Sequence, residues 1–444
     1  MVKKASQMGF IDKVFVGTLL TVFGGIVLHA PLTVWLGTQF PGAELLIKSW
    51  KEILLLFAIV LAGVVIVRRR QWGVIKNPIL LLMLAYAILH IVLVVVFGGT
   101  PEAIIAGLMI DLRYMLFFAL IYIAFSLYPA LRKPFIVVGV AGALIVTVFA
   151  VLQVMVLPRD ALTTIGYSET TIQPYLTVDE NEDFVRINST LRGPNPLGAY
   201  AVIVMGAVLA AWLWARQTIT KKRLTWLVLV LGIGSVVALW FSYSRSALLA
   251  ALVVIGGLVL VRYWSKIRTW MLIVAAFVVM TIGGLAFLAR DSYFISNILL
   301  HENDTTGAEV SSNDAHIESF GEGTERLITQ PFGAGVGSTG SASLYSDEPF
   351  IVENQRLYVA HETGWIGMGL YLAIFLLVIH GLWRRRRDWL AIGVLASGVG
   401  MAIIGTLLPV WADDTVSLVW WGLAAVVLGG AYGRTLNKTT KRTT

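Results

Sequence analysis

The sequence predicts an all-α, polytopic integral membrane protein with about 12 transmembrane helices and one large extracytoplasmic loop containing short helices. Three observations predict it. The first is composition. Of 444 residues, 57% are hydrophobic and only 14% charged, with a mean hydropathy of +0.80, whereas soluble domains run near half apolar and a quarter charged. The second is segment length. The apolar runs are ~15–25 residues long, which suits helices crossing ~30 Å of hydrocarbon rather than barrel strands. The third is charge placement: the basic residues cluster in every second loop.

The predicted spans are 14–30, 52–67, 78–97, 104–127, 134–156, 196–215, 224–241, 247–262, 270–288, 363–382, 389–409 and 415–433. The first follows Lys3 and Lys4 and has the outline of a signal peptide; the many later spans favour a retained signal anchor. Three parts result: helices 1–9 over 1–288, the large loop over 289–362, and helices 10–12 with a tail over 363–444. No internal repeat and no second soluble domain stands out.

About 24 of the 34 basic residues lie in alternate loops, opposed there only by Asp12 and Asp388. The groups are Lys3/Lys4/Lys13, Arg68–Arg70, Arg132/Lys133, Arg216/Lys221/Lys222/Arg223, Arg262/Lys266/Arg268, Arg384–Arg387 and Arg434/Lys438/Lys441/Arg442. This positive-inside pattern places both termini in the cytoplasm. The net charge of +8 therefore reads as a topology signal, and no nucleic-acid partner is expected. With no cysteine, disulfides, thiolate metal sites and cysteine nucleophiles are excluded.

The segment 289–362 is polar and Gly-rich between two apolar runs, and a loop of that length in a compact fold usually serves a function. Five outward arginines stand out against the charge bias: Arg113, Arg186, Arg192, Arg245 and Arg326. Arg245, in SYSRSALLA at the start of a span, reads either as a guanidinium gripping a lipid phosphate or as an interfacial anchor. Arg186 and Arg192 bracket an Asn-Ser-Thr turn before Pro194-Asn195-Pro196; the alternative for both is a solvated loop. Arg113 stands roughly 10–13 Å into its helix, where an ionisable group is a functional candidate or an ion-pair partner of a neighbouring helix.

GAGVGSTG contains a literal G-x-G-x-x-G at Gly335, Gly337 and Gly340. No strand–helix unit frames it, so a dinucleotide site is not expected. An amide nest for a diphosphate or sugar and a plain flexible turn both fit. Glu353 and Asn354 precede the tenth span, where a carboxylate near arginines suits a general base, and where a solvated charge before a helix is the simpler account. His316 and His361 lie in the large loop, but no H-x-x-x-H or H-E-x-x-H spacing occurs, so no metal site is predicted.

Four motifs in order resemble the O-antigen ligase / O-antigen polymerase superfamily of bacterial polysaccharide assembly. These are Arg186-Ile-Asn-Ser189-Thr190…Pro194-Asn195, Ser244-Arg245-Ser246, Pro331-Phe332-Gly333-Ala-Gly335-Val-Gly337, and Glu353-Asn354-Gln-Arg-Leu357…Glu362-Thr-Gly364…Gly367. The resemblance covers about residues 50–433 and is strongest over 186–380. It implies metal-independent, inverting glycosyl transfer on the outer face of the bacterial cytoplasmic membrane, without a cofactor. The implied donor is a glycan on undecaprenyl diphosphate and the acceptor a glycan or lipid hydroxyl. By the same resemblance Arg186, Arg245 and Glu353 carry the chemistry. Arg113, Arg192, Asn195, His316, Arg326, Gly335, Gly337 and Asn354 bind substrate. Ligases of the family carry histidine where this chain has Glu353, and members often carry arginine where it has His316. The family alone does not separate ligase from polymerase. The competing class is a polytopic transporter or lipid-linked glycan flippase, which twelve spans also fit; the lack of repeated halves counts against it.

Overall fold

In the computed structural model, residues 8–215, 222–266, 268–290, 292–293, 295–296 and 312–442 are described. Lys3, Lys4, Arg216, Lys221 and the stretch 297–311 of the long loop lie outside them. The elements in order are α1 (Phe10–Gly25), α2 (His29–Gln39), α3 (Glu44–Lys48), α4 (Trp50–Arg69), α5 (Pro78–Phe97), α6 (Pro101–Leu127) and α7 (Arg132–Met155). A two-stranded hairpin follows, β1 (Leu176–Val178) and β2 (Asn181–Arg186). Then come α8 (Pro194–Ala215), α9 (Lys222–Phe241), α10 (Arg245–Tyr263), α11 (Thr269–Leu288), α12 (Ser312–Thr329), α13 (Gly340–Ser343), α14 (Gln355–Trp383), α15 (Trp389–Ile404) and α16 (Asp414–Arg442). Ten helical stretches among the described residues are long and apolar enough to cross a membrane, and α15 is a shorter apolar helix. The protein is an all-α, multi-pass type with almost no strand.

Local chemistry sets the ends of these helices. Asn77 accepts from the Ile79 amide at 2.9 Å while Pro78 takes the first helical position, where its missing N–H is no loss. Asp388 caps α15 by accepting from Leu390 N at 3.0 Å, and Arg70 closes α4 in the left-handed conformation at φ 54°. Several boundaries differ from expectation. α1 and α2 run nearly continuously to Gln39, well past residue 30, α14 begins at Gln355 rather than 363, α15 ends at Ile404 rather than 409, and α16 runs to Arg442 rather than 433.

The centre of the bundle is α16. Of its span 83% is buried, against at most 56% for any other. Between Leu418 and Gly433 it is apolar all round, as a helix enclosed by helices must be. Trp420 and Trp421 meet at 5.1 Å between ring centroids, and Trp421 packs on Tyr114 and Phe118 of α6. On the other flank α8 and α15 approach until a Cβ at Gly393 would stand 3.0 Å from the Gly206 carbonyl. Close backbone approach of this kind replaces the missing hydrophobic drive between helices in lipid.

Several of the connecting segments are bonded to one another. Thr100 Oγ1 donates to the Tyr345 carbonyl at 2.8 Å, Tyr293 Oη donates to Asp183 Oδ2 at 2.6 Å, and Asn354 Nδ2 donates to the Thr406 carbonyl at 2.9 Å. These bonds tie 98–100, the hairpin, the long loop and the α15–α16 connection together.

Candidate functional site

The hairpin is what delivers Arg186. Leu176 pairs with Arg186 and Thr177 with Val185, and the reversal runs through Asp179 at φ 46° and Glu180 at φ 62°. Two successive positive φ values match the right-handed twist of the flanking strands. The segment reads as a polar loop in sequence because neither residue is the usual Asn or Gly. Ile187 N then donates to the Phe241 carbonyl at 3.1 Å, docking the end of β2 on the end of α9.

The α9–α10 connection is a tight turn with Tyr243 at φ 47° and Ser244 in extended conformation before α10. It brings Arg245 beside Arg186. Arg186 Nε donates to the Ser242 carbonyl at 2.9 Å, and its Nη2 donates to Asn195 Oδ1 at 2.7 Å. Burial, with the Arg245 charge adding to it and Asp179 opposing it, brings the Arg186 guanidinium down to about 10. Burial likewise raises the Asp179 carboxyl, which the two arginines hold back. Two guanidiniums with one nearby carboxylate make a site short of negative charge. Arg186, Arg245 and Asn195 are thus brought together from three elements.

Glu353 and His316 form a second group. His316 Nδ1 and Glu353 Oε2 are 2.5 Å apart, without an aligned hydrogen bond between them. Glu353 N donates to Ser319 Oγ at 2.9 Å, so α12 holds the main chain at this residue. Its side chain is 35% exposed and can be reached from solvent. Arg326, also on α12, stacks 3.8 Å above the Phe350 ring, which lies against His361. Asn354 is engaged elsewhere. Its Oδ1 caps α14 by accepting from Arg356 N and Leu357 N, at 2.9 and 3.2 Å.

The Gly-rich loop serves a break in α14. Gly364 sits at φ 64° inside that helix. The break frees the His361 and Glu362 carbonyls and the Trp365 amide. Ala334 N and Gly335 N take the two carbonyls at 2.6 and 3.2 Å, and Trp365 N donates to the Pro331 carbonyl at 2.9 Å. Gly337 N donates to Glu362 Oε1 at 3.1 Å. Gly337 has φ 81°, and a Cβ there would overlap the Ala103 carbonyl of α6. The amides of Gly335 and Gly337 are therefore committed to α14, and these glycines act as a clasp. Behind them Asp111 lies beside the Glu362 carboxyl. His90 Nδ1 donates to the Tyr86 carbonyl at 2.8 Å, and its Nε2 faces Asp111 Oδ2 at 3.3 Å.

Arg113 and Arg192 line a cavity of about 390 Å³ that also reaches His29, Lys51, Glu52 and Asp414. These last four were not among the residues the motifs single out. Each looks ordinary at a span end, and only the packing of α2, α4, α6 and α16 makes them neighbours. A second cavity of about 270 Å³, walled by residues of α7, α8, α9 and α15 such as Val140, Val208, Leu227 and Trp389, contains no charged side chain. Among the described residues no three His, Asp or Glu side chains gather into a metal-binding cluster.

No protein-family model matches this chain, and no curated protein matches its sequence.

Proposed function

We propose that this chain is a bacterial membrane glycosyltransferase of the O-antigen ligase/polymerase type. It moves a glycan from an undecaprenyl-diphosphate donor to a hydroxyl acceptor at the outer face of the cytoplasmic membrane. In this reading both termini are cytoplasmic, α11 and α15 complete a set of twelve spans, and the tied loops form the outward end. The observation that carries the reading is the convergence of Arg186 and Arg245, from the hairpin and from α10, with Asn195 holding the first guanidinium in place.

The acceptor oxygen attacks the anomeric carbon, the bond from that carbon to the diphosphate oxygen breaks, and the configuration inverts. The hydroxyl proton passes to Glu353, whose main chain Ser319 holds and whose carboxylate faces His316. The departing diphosphate gains charge as the bond lengthens, and the paired guanidiniums stabilise it. A buried guanidinium with little compensating charge does this well, because little water competes for its N–H groups.

The test is purified protein with a defined undecaprenyl-diphosphate oligosaccharide, with and without chelator, resolved on a gel. A ladder identifies a polymerase, and a single product that needs an added acceptor identifies a ligase. Loss of activity with chelator overturns the arginine-only mechanism. A transporter or flippase reading has one observation in its favour, the His90–Asp111 pair with Glu362 beside it inside helices α5, α6 and α14, since buried ionisable residues in spans often mark transport pathways. Movement of labelled lipid-linked glycan across sealed vesicles, with no chemical change, would favour it.

A further inference from the structure

The cavity holding Arg113 and Arg192 has a chemistry unlike that of the paired-arginine site. Its deep wall carries both signs of charge. Lys51 Nζ lies 3.1 Å from Asp414 Oδ2 and 3.3 Å from Glu52 Oε1. Arg113 Nη1 lies 3.8 Å from Glu52 Oε1, and its Nη2 donates to the Ala412 carbonyl. Trp50 Nε1 donates to His29 Nδ1 at 3.0 Å. His29 Nε2 lies 3.1 Å from both Asp414 Oδ2 and Lys51 Nζ.

Three atoms in this network have no partner: Arg113 Nε, Glu52 Oε2 and Asp414 Oδ1. Their residues are only 7, 9 and 1% exposed. Buried polar atoms left unpaired are costly, so three in residues lining one cavity point to a ligand that pairs them once the side chains turn toward it. The unpaired set is one donor and two carboxylate acceptors. Over the whole cavity Lys48, Lys51, Arg113 and Arg192 face Glu44, Glu52 and Asp414, one positive charge in excess. The two unpaired carboxylate oxygens need donors, which an ionised diphosphate lacks. A sugar ring fits better. Its hydroxyls donate to carboxylates and accept from a guanidinium at once. Apolar side chains of the same cavity, Leu45, Met109 and Ile110, suit the C–H face of a ring. The volume of about 390 Å³ falls in the ~300–1,000 Å³ range of small-ligand pockets.

We propose that the cavity between α2, α4, α6 and α16 binds a neutral sugar unit through Arg113, Glu52 and Asp414, and that this unit is the acceptor end of the glycan. The word acceptor rests on the glycosyltransferase reading, and the sugar site does not. Lys51 and His29 are positioning residues that hold Asp414 and Glu52 in place.

The experiment separates the two. Full-length protein in detergent is probed by saturation-transfer NMR with the methyl glycosides of glucose, galactose, rhamnose and N-acetylglucosamine, and with inorganic diphosphate as competitor. At least one glycoside is expected to bind, without displacement by diphosphate. Binding is expected to weaken tenfold or more in Glu52→Gln. Because Glu52→Gln disturbs a buried network, Ala106→Phe serves as the second variant, filling the cavity from α6 without removing a charge. It is expected to abolish glycoside binding and to raise the acceptor KM tenfold or more, with undecaprenyl-diphosphate affinity unchanged. No glycoside binding, displacement by diphosphate, or full binding in Ala106→Phe would overturn the sugar site. Glycoside binding with no transfer product under any condition upholds the sugar site and sinks the enzyme reading.

Discussion

Replacing Arg186 with lysine keeps the charge and removes the planar fork. In the wild type the fork makes two bonds at once, Nε to the Ser242 carbonyl at 2.9 Å and Nη2 to Asn195 Oδ1 at 2.7 Å. An ammonium on a single stem reaches at most one of these acceptors. Hydrogen bonds involving a charged group contribute about 1.5–3 kcal/mol each, so the variant should lose about that much stability. The same two bonds aim the rest of the guanidinium at the leaving group. If that loss appears in the transition state, at ~1.4 kcal/mol per decade, transfer slows about 10- to 150-fold. The assay is kcat/KM on undecaprenyl-diphosphate oligosaccharide, together with the thermal midpoint in detergent. A lysine variant with wild-type rate and midpoint would refute the fork argument. A lowered midpoint with unchanged kcat/KM would confine Arg186 to holding the hairpin on α8.

Glu353→Gln should abolish transfer while the protein keeps the wild-type size-exclusion profile; transfer at wild-type rate would remove Glu353 from the reaction. Gly337→Ala should destabilise by more than the ~1–2 kcal/mol that a left-handed backbone costs an L-residue, because the new methyl also overlaps the Ala103 carbonyl; an unchanged size-exclusion profile and midpoint would contradict the clasp. Asn354→Ala should cost about 0.5–2 kcal/mol through the lost cap of α14, read as a lower midpoint with glycoside affinity retained. Asp413 is pushed up to about 6 by burial, with Asp414 beside it adding to the shift. The folded protein then binds more protons than the unfolded chain between about pH 4 and 6, so stability falls as pH rises through that window. In Asp413→Asn, which keeps an oxygen to accept from Val416 N, this part of the pH dependence should vanish; an identical midpoint-against-pH curve would show that Asp413 does not titrate there.

The helical, membrane-crossing class is legible because it rests on composition and run length, which need no knowledge of neighbours. Most helix positions follow from the same signal. The boundary at Gln355 escapes it, since Gln355, His361, Glu362 and Thr363 are covered by tertiary contacts rather than left at a water interface, and α2 runs on to Gln39 through exposed polar residues. The hairpin over 176–186 escapes it too: its two-residue turn uses Asp179 and Glu180 at positive φ, a choice with no strong local signature.

Residue types in the candidate site are visible along the chain, and their grouping is not. Arg186, Asn195 and Arg245 stand out one by one as charge or polarity out of place, and the hairpin register together with the Ser242 turn makes them one site. The glycines of GAGVGSTG stand out as a backbone motif, yet the partner that claims their amides is a kink in α14. Glu52, Lys51, His29 and Asp414 carry no motif at all. Hydropathy and charge bias are sums over neighbours in sequence, so the chain alone determines that it is helical and multi-pass. Which buried charges meet across α4, α6 and α16 depends on helix rotation and crossing, and only the packed bundle decides that.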